Sequence, residues 1–112
     1  MIESYSFGEI KIDGKKFTSD LIIYPQRIDS HWWRKEGHAL NIEDITDIIE
    51  ASPDTLIVGT GMSGILKILP ETKRFIESKG IRLISKKTEE ACRLFNQLCD
   101  KEKVVAALHL TC

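Results

Sequence analysis

Residues 55–84, TLIVGTGMSGILKILPETKRFIESKGIRLI, decide the fold. The continuous apolar run Leu56 to Val58 reads as a strand buried on both faces. A glycine-rich loop follows. Pro70 is a favoured first helical residue with Glu71 behind it in the first turn, so a helix begins near residue 70, carries Phe75 and Ile76, and stops at Gly80. Ile81 to Ile84 is then a second buried strand. Strand, helix and strand in this order form the repeating unit of a parallel α/β sheet.

The same alternation extends outward. Downstream, Thr88 with Glu90 opens a helix whose apolar face is Ala91, Leu94, Phe95 and Leu98, and VVAALHL from Val104 is a last strand. Upstream, Asn41 is a candidate cap for a helix with Ile42, Ile45, Ile48 and Ile49 on one face, ended by Ser52-Pro53. Nearer the N-terminus, SFGEIKIDGKKF alternates around Asp13-Gly14, a dipeptide suited to a tight hairpin turn, and Leu21 to Tyr24 forms a short strand closed by Pro25. Residues 25–40 have no clean period and read as a long loop. The expected fold is α/β, with a mainly parallel sheet covered on both faces and an N-terminal β-hairpin as an extra layer or antiparallel edge. No linker or repeat divides the chain, so residues 1–112 form one domain.

Sixteen basic and seventeen acidic side chains give a formal charge of −1, so no global field collects nucleic acid. No apolar run is long enough for a membrane helix, and MIESYSFGEIKIDG has the plan of neither a signal nor a transit peptide, which leads to the expectation of a cytoplasmic protein without membrane contact. Cys92, Cys99 and Cys112 are odd in number and lack metal-type spacing, so reduced thiols are expected and no metal site.

Gly59, Gly61 and Gly64 fall at the spacing G-x-G-x-x-G. A dinucleotide site requires a helix starting at that loop and an acid some 20 residues on. Pro70 delays the helix, and Ser85, Lys86 and Lys87 stand where the acid would be, so no cofactor is expected. Two readings remain open. Gly59 and Gly61 allow a sharp turn and Gly64 a close approach, or the amides of Gly61, Met62 and Ser63 form a nest for a small anion, with Thr60 and Lys67 nearby.

Trp32, Trp33 and Arg34 crowd two large aromatics and a cation into a loop. One indole as a core plug and an exposed Trp-Arg pair as an interface anchor are both consistent with that crowding. His109 and Cys112 are three apart on the final strand and should face opposite sides, which disfavours a thiol–imidazole pair. Ser63 in GMSG lacks the flanking pattern of a nucleophile elbow.

Trp33-Arg34, LIVGTGMS at 56–63, Leu66-Lys67, Lys79-Gly80-Ile81 and the terminal His109-Leu110-Thr111-Cys112 together resemble the adipogenesis-associated Mth-domain-containing proteins, with the mitochondrial complex I assembly factor 3 as a more distant relative. Gly64 departs from that pattern. The resemblance spans nearly the whole chain and implies a three-layer β+α/β/α domain around a mixed central sheet. It supplies no catalytic residues and implies a regulatory or interaction role. The function expected is therefore a non-catalytic interaction module that meets a protein partner or itself through Trp32, Trp33 and Arg34. The alternative is a binder of a small anion or phosphorylated metabolite through loop 59–64 and Lys67. The role of the terminal motif His109, Thr111 and Cys112 is left open, and the absence of a transit pattern argues against carrying over the assembly role.

Overall fold

The computed structural model describes all residues, 1–112. Strands β1 (Ile2–Ser6), β2 (Glu9–Ile12) and β3 (Lys15–Phe17) form an antiparallel N-terminal sheet, in the order β1-β2-β3. Its second turn is the expected one, with φ of 47° at Asp13 and 82° at Gly14, the left-handed pair that a two-residue hairpin requires. β1 was not foreseen. It makes the hairpin a three-stranded sheet.

The central sheet contains β4 (Leu21–Ile23), β5 (Ile28–Asp29), β7 (Thr55–Thr60), β9 (Arg82–Lys86) and β10 (Val104–His109), and its order is β5-β4-β10-β7-β9. β10 and β9 run parallel to β7, while β4 and β5 extend the sheet antiparallel. The sheet is thus mixed and mainly parallel. Between these elements lie the short parallel pair β6 (Ala39–Leu40) and β8 (Lys67–Ile68), which gives the long loop a brief order.

The helices are α1 (Thr46–Ala51), α2 (Pro70–Ser78) and α3 (Thr88–Leu98). The chain steps from β7 through α2 to β9, then back through α3 across β7 to β10. Because right-handed crossovers in opposite directions put their helices on opposite faces, α2 and α3 must lie on different sides. Packing agrees. Ala91, Cys92 and Phe95 of α3 meet Ile2, Ile10 and Ile12 of the small sheet and the Ile57, Ala106 and Leu108 face of the central sheet. On the other face, Ile48 and Ile76 of α1 and α2 cover Ile22, Leu56, Val58, Val105 and Ala107. All six residues of β7 and all six of β10 are buried, as strands sandwiched between two layers must be.

The helix expected from Asn41 is shorter than its apolar period suggests. Residues Ile42–Ile45 form a 3-10 turn before α1, with Asn41 as its N-cap residue and the Asn41 side-chain amide donating to Glu36 at 2.9 Å. The Asp44 carboxylate supplies the reciprocal arm of the capping box, accepting the Asn41 amide at 2.8 Å, and also accepts the Lys35 amide at 2.9 Å. No helix is long and apolar enough to cross a membrane.

Candidate functional site: a clasp at the carboxyl ends of the parallel strands

Strand register builds the site. Leu21 of β4 pairs with Leu108 of β10 in antiparallel fashion, so Asp20, one residue earlier, comes opposite His109, one residue later. His109 in turn lies beside Thr60, the last residue of β7. A polar residue ending an otherwise apolar buried strand needs a partner, and Asp20 supplies it. His109 Nδ1 and Asp20 Oδ2 are 2.7 Å apart. Arg34 Nη1 donates to the same oxygen at 2.7 Å, and the Leu110 amide donates to Asp20 Oδ1 at 2.7 Å.

Arg34 reaches the carboxylate because Trp32 anchors its loop. The Trp32 indole is buried, its Nε1 donates to Asp44 O at 3.0 Å, and its backbone amide donates to Asp20 O at 3.0 Å. The guanidinium then lies 4.8 Å from the centre of the Trp32 ring and donates to Gly37 O at 3.1 Å, a stacked and forked geometry that lysine would not reproduce. Arg34 Nη2 also approaches His109 Nδ1 at 3.2 Å. The carboxylate contact is shorter, so we assign the Nδ1 proton to the bond with Asp20. Burial pushes the Asp20 carboxyl upward, but the bonds from His109, the Leu110 amide and Arg34 outweigh it and hold its pKa down at about 2.

The tail beyond β10 closes the site. Thr88 Oγ1 donates to His109 O at 2.6 Å and accepts the Gly61 amide at 2.8 Å. The Met62 amide donates to Thr111 O at 2.7 Å, the Ile65 amide to Cys112 O at 3.1 Å, and the Gly8 amide to Leu110 O at 2.8 Å. Residues Leu110–Cys112 therefore lie against the glycine loop at the ends of β7 and β10, the crevice in which open α/β sheets receive ligands. Gly61 is required there. Its φ is +102°, and a Cβ would come within 2.2 Å of Cys112 C and 2.9 Å of His109 Cδ2.

These contacts change the reading of the loop. A dinucleotide cannot share the crevice with the tail. The anion nest also does not form as expected, because the Gly61 and Met62 amides already donate to Thr88 and Thr111, which leaves only the Ser63 amide of the three outside these bonds. Gly59 serves close packing, since a Cβ there would meet Leu108 Cδ2 at 2.8 Å and Thr88 Oγ1 at 2.9 Å. The two tryptophans part company: Trp32 is 7% exposed and Trp33 is 76% exposed. Arg34 belongs with Trp32, being tied to Asp20 and His109.

Chemically, the cluster's charges are paired within it, although the buried Arg34 Nε is left without a hydrogen-bond partner. Thr111 Oγ1 lies 3.5 Å from His109 Nε2, so hydroxyl, imidazole and carboxylate stand in a line, as in a nucleophilic triad. Here the Arg34 guanidinium shares the carboxylate and the imidazole is 7% exposed, which makes the line a clasp between the start of β4, the Trp loop and the tail. Asp20 had no sequence signal of its own. The signal lay in His109, a titratable residue in VVAALHL that had to be partnered.

Exposed apolar side chains stand on the segments that hold the clasp. Phe7 is 58% exposed, Met62 42% and Ile65 43%. Phe7 precedes Gly8, and Gly8, Met62 and Ile65 all hydrogen-bond the tail, while Trp33 adjoins Arg34. Four exposed apolar side chains thus surround residues 109–112. A larger groove of about 810 Å³, lined by Ile12, Phe17, Ile23, Phe95 and Val104 among others, opens near the start of β10, five residues and roughly 17 Å from His109.

Comparison with known proteins agrees with this architecture. A Xenopus tropicalis protein named NADH dehydrogenase [ubiquinone] 1 alpha subcomplex assembly factor 3 is 29% identical over 108 residues, 95% of this chain and 58% of that protein. The chain thus spans little more than half the length of that relative. A conserved hypothetical protein of Pyrococcus horikoshii superposes with a TM-score of 0.86 and is 36% identical over 100% of this chain and 99% of its own. A Bordetella pertussis protein described as a Mth938-like domain has the same fold, with a TM-score of 0.69 and 22% identity over 97% of this chain and 84% of its own. Residues 2–109 match the family described as protein of unknown function (DUF498/DUF598), and the chain belongs to that family.

Proposed function

We propose that this domain is a non-catalytic protein-interaction module that docks a partner on the apolar rim of Phe7, Trp33, Met62 and Ile65. The observation that carries this reading is the gathering of four of the five exposed large apolar side chains around one buried clasp. A single exposed leucine or methionine means little, whereas several exposed apolar side chains on neighbouring segments, a tryptophan among them, fit the composition of an interface core. The Asp20, Arg34 and His109 network holds the segments that present the rim, so it acts by positioning and does no chemistry. A relative named as an assembly factor is consistent with this, because assembly proceeds through binding. The proposal takes the cytoplasm as the compartment and a protein, not nucleic acid, as the partner.

The test is co-purification of the tagged chain from its source cells, comparing wild type, Trp33→Ser and Met62→Ser with a remote control, Lys101→Ser. The same partner recovered with wild type and Lys101→Ser, and lost with both rim variants, supports the reading. Equal recovery in all four refutes it. Sedimentation of the purified chain separates a second copy from a different protein as the occupant.

A further inference from the structure

Beside the clasp, a second cleft of about 470 Å³ lies between the carboxyl ends of β7 and β9 and the first turn of α2, lined by Thr60, Gly64, Lys67, Lys73, Leu83 and Ser85, among others. Its volume falls in the range of small-molecule sites. Two lysines open directly onto it. A third, Lys87, stands just outside the lining, its Cγ and Cε atoms 3.4 and 3.5 Å from the position a Cβ on the lining residue Gly64 would take. None of the three takes part in the ion pairs that tie Lys16, Lys35, Lys86 and Arg93 to carboxylates. In a chain of net charge −1, two lysines lining one cleft and a third beside it, none in an ion pair, form a local excess that the composition does not predict.

We infer that this cleft binds the phosphate or diphosphate group of a small soluble molecule, with Lys67, Lys73 and Lys87 as its cations and the Ser85 hydroxyl as a neutral donor. Like charges held together repel one another, and an oxyanion between them removes that cost while accepting charge-assisted hydrogen bonds. The Thr60 hydroxyl is not a donor here, since it points to Lys86 O at 3.1 Å. Gly64 keeps the wall open. Its φ of +74° disfavours any side chain at that point. The glycine loop therefore shapes this neighbouring site without lending it backbone amides. The inference is independent of the apolar rim, since none of these residues belongs to it.

The test is a titration of the isotope-labelled protein with pyrophosphate, followed by amide resonances, with sodium chloride at matched ionic strength as the control. The expected result is saturable shifts at Gly64, Lys67 and Ser85 that sodium chloride does not reproduce. In Lys67→Gln/Lys73→Gln, whose exposed positions leave the core intact, affinity should fall about tenfold or more. No saturable shift, or the same shifts in the double variant, overturns the assignment. A parallel titration with phosphatidylcholine vesicles containing phosphatidate separates the sources of the anion. Binding to those vesicles without binding to pyrophosphate also overturns it, in favour of a lipid headgroup.

Discussion

Replacing Asp20 with asparagine should reveal how much the clasp contributes to the fold. The wild-type carboxylate has three partners and a pKa of about 2 against an ordinary 3.8. A depressed pKa stabilises the folded state above the unfolded value and loses that contribution as pH falls through the folded one. For a side chain that is 19% exposed, the difference corresponds to about 2 kcal/mol at neutral pH, most of it lost between about pH 5 and pH 2. Asparagine keeps the shape but removes the charge, leaving the Arg34 guanidinium and the His109 Nδ1–H buried against an amide. Breaking a buried charge pair from one side costs about 3 kcal/mol, so the midpoint of thermal unfolding should drop by on the order of 10 °C. Urea denaturation at pH 7, 4 and 2.5 measures both effects. Wild-type stability should decline across the acid range by about 2 kcal/mol more than that of Asp20→Asn. A variant within about 0.5 kcal/mol of wild type at pH 7, or one with the same acid dependence, would show that the cluster is not a clasp.

Other outcomes follow from the same contacts. Gly61→Val should displace residues 110–112, combining a positive φ with overpacking for a loss of about 3 kcal/mol or more, seen as faster amide exchange in the tail. Trp32→Ala should cost about 3–5 kcal/mol, while Trp33→Ala at the neighbouring position should stay within about 0.5 kcal/mol, both read by urea denaturation. Burial pushes the Cys92 thiol up to about 12, so alkylation of the native protein at pH 8, mapped by mass spectrometry, should leave Cys92 unmodified while exposed Cys112 reacts.

The parallel half of the fold was readable because its signals are local: Leu56 to Val58, Pro70, Gly80 and the Ala91 to Leu98 stripe each act within a few residues. β1 escaped notice because Glu3, Ser4 and Ser6 dilute its alternation, and its order depends on a long-range bond, the Ile2 amide to Asn96 Oδ1 at 2.9 Å. The site was less legible. Asp20 and His109 lie 89 residues apart and meet only because β4 and β10 pair in one register. Adjacent tryptophans with opposite fates illustrate the same limit. An extended segment sends successive side chains to opposite sides, and only the location of the core decides which is inside. The glycine spacing left a turn and an anion nest open for a similar reason: nothing local shows that the loop faces the chain's own tail.

The most direct test of the interface is site-specific photo-crosslinking in source cells, with benzoylphenylalanine at position 33 on the rim or at position 101 far from it. Position 33 should capture one protein at a defined mass, and position 101 none. No adduct at position 33, or the same adducts at both positions, would contradict an interface on the rim and leave the clasp as a purely structural feature.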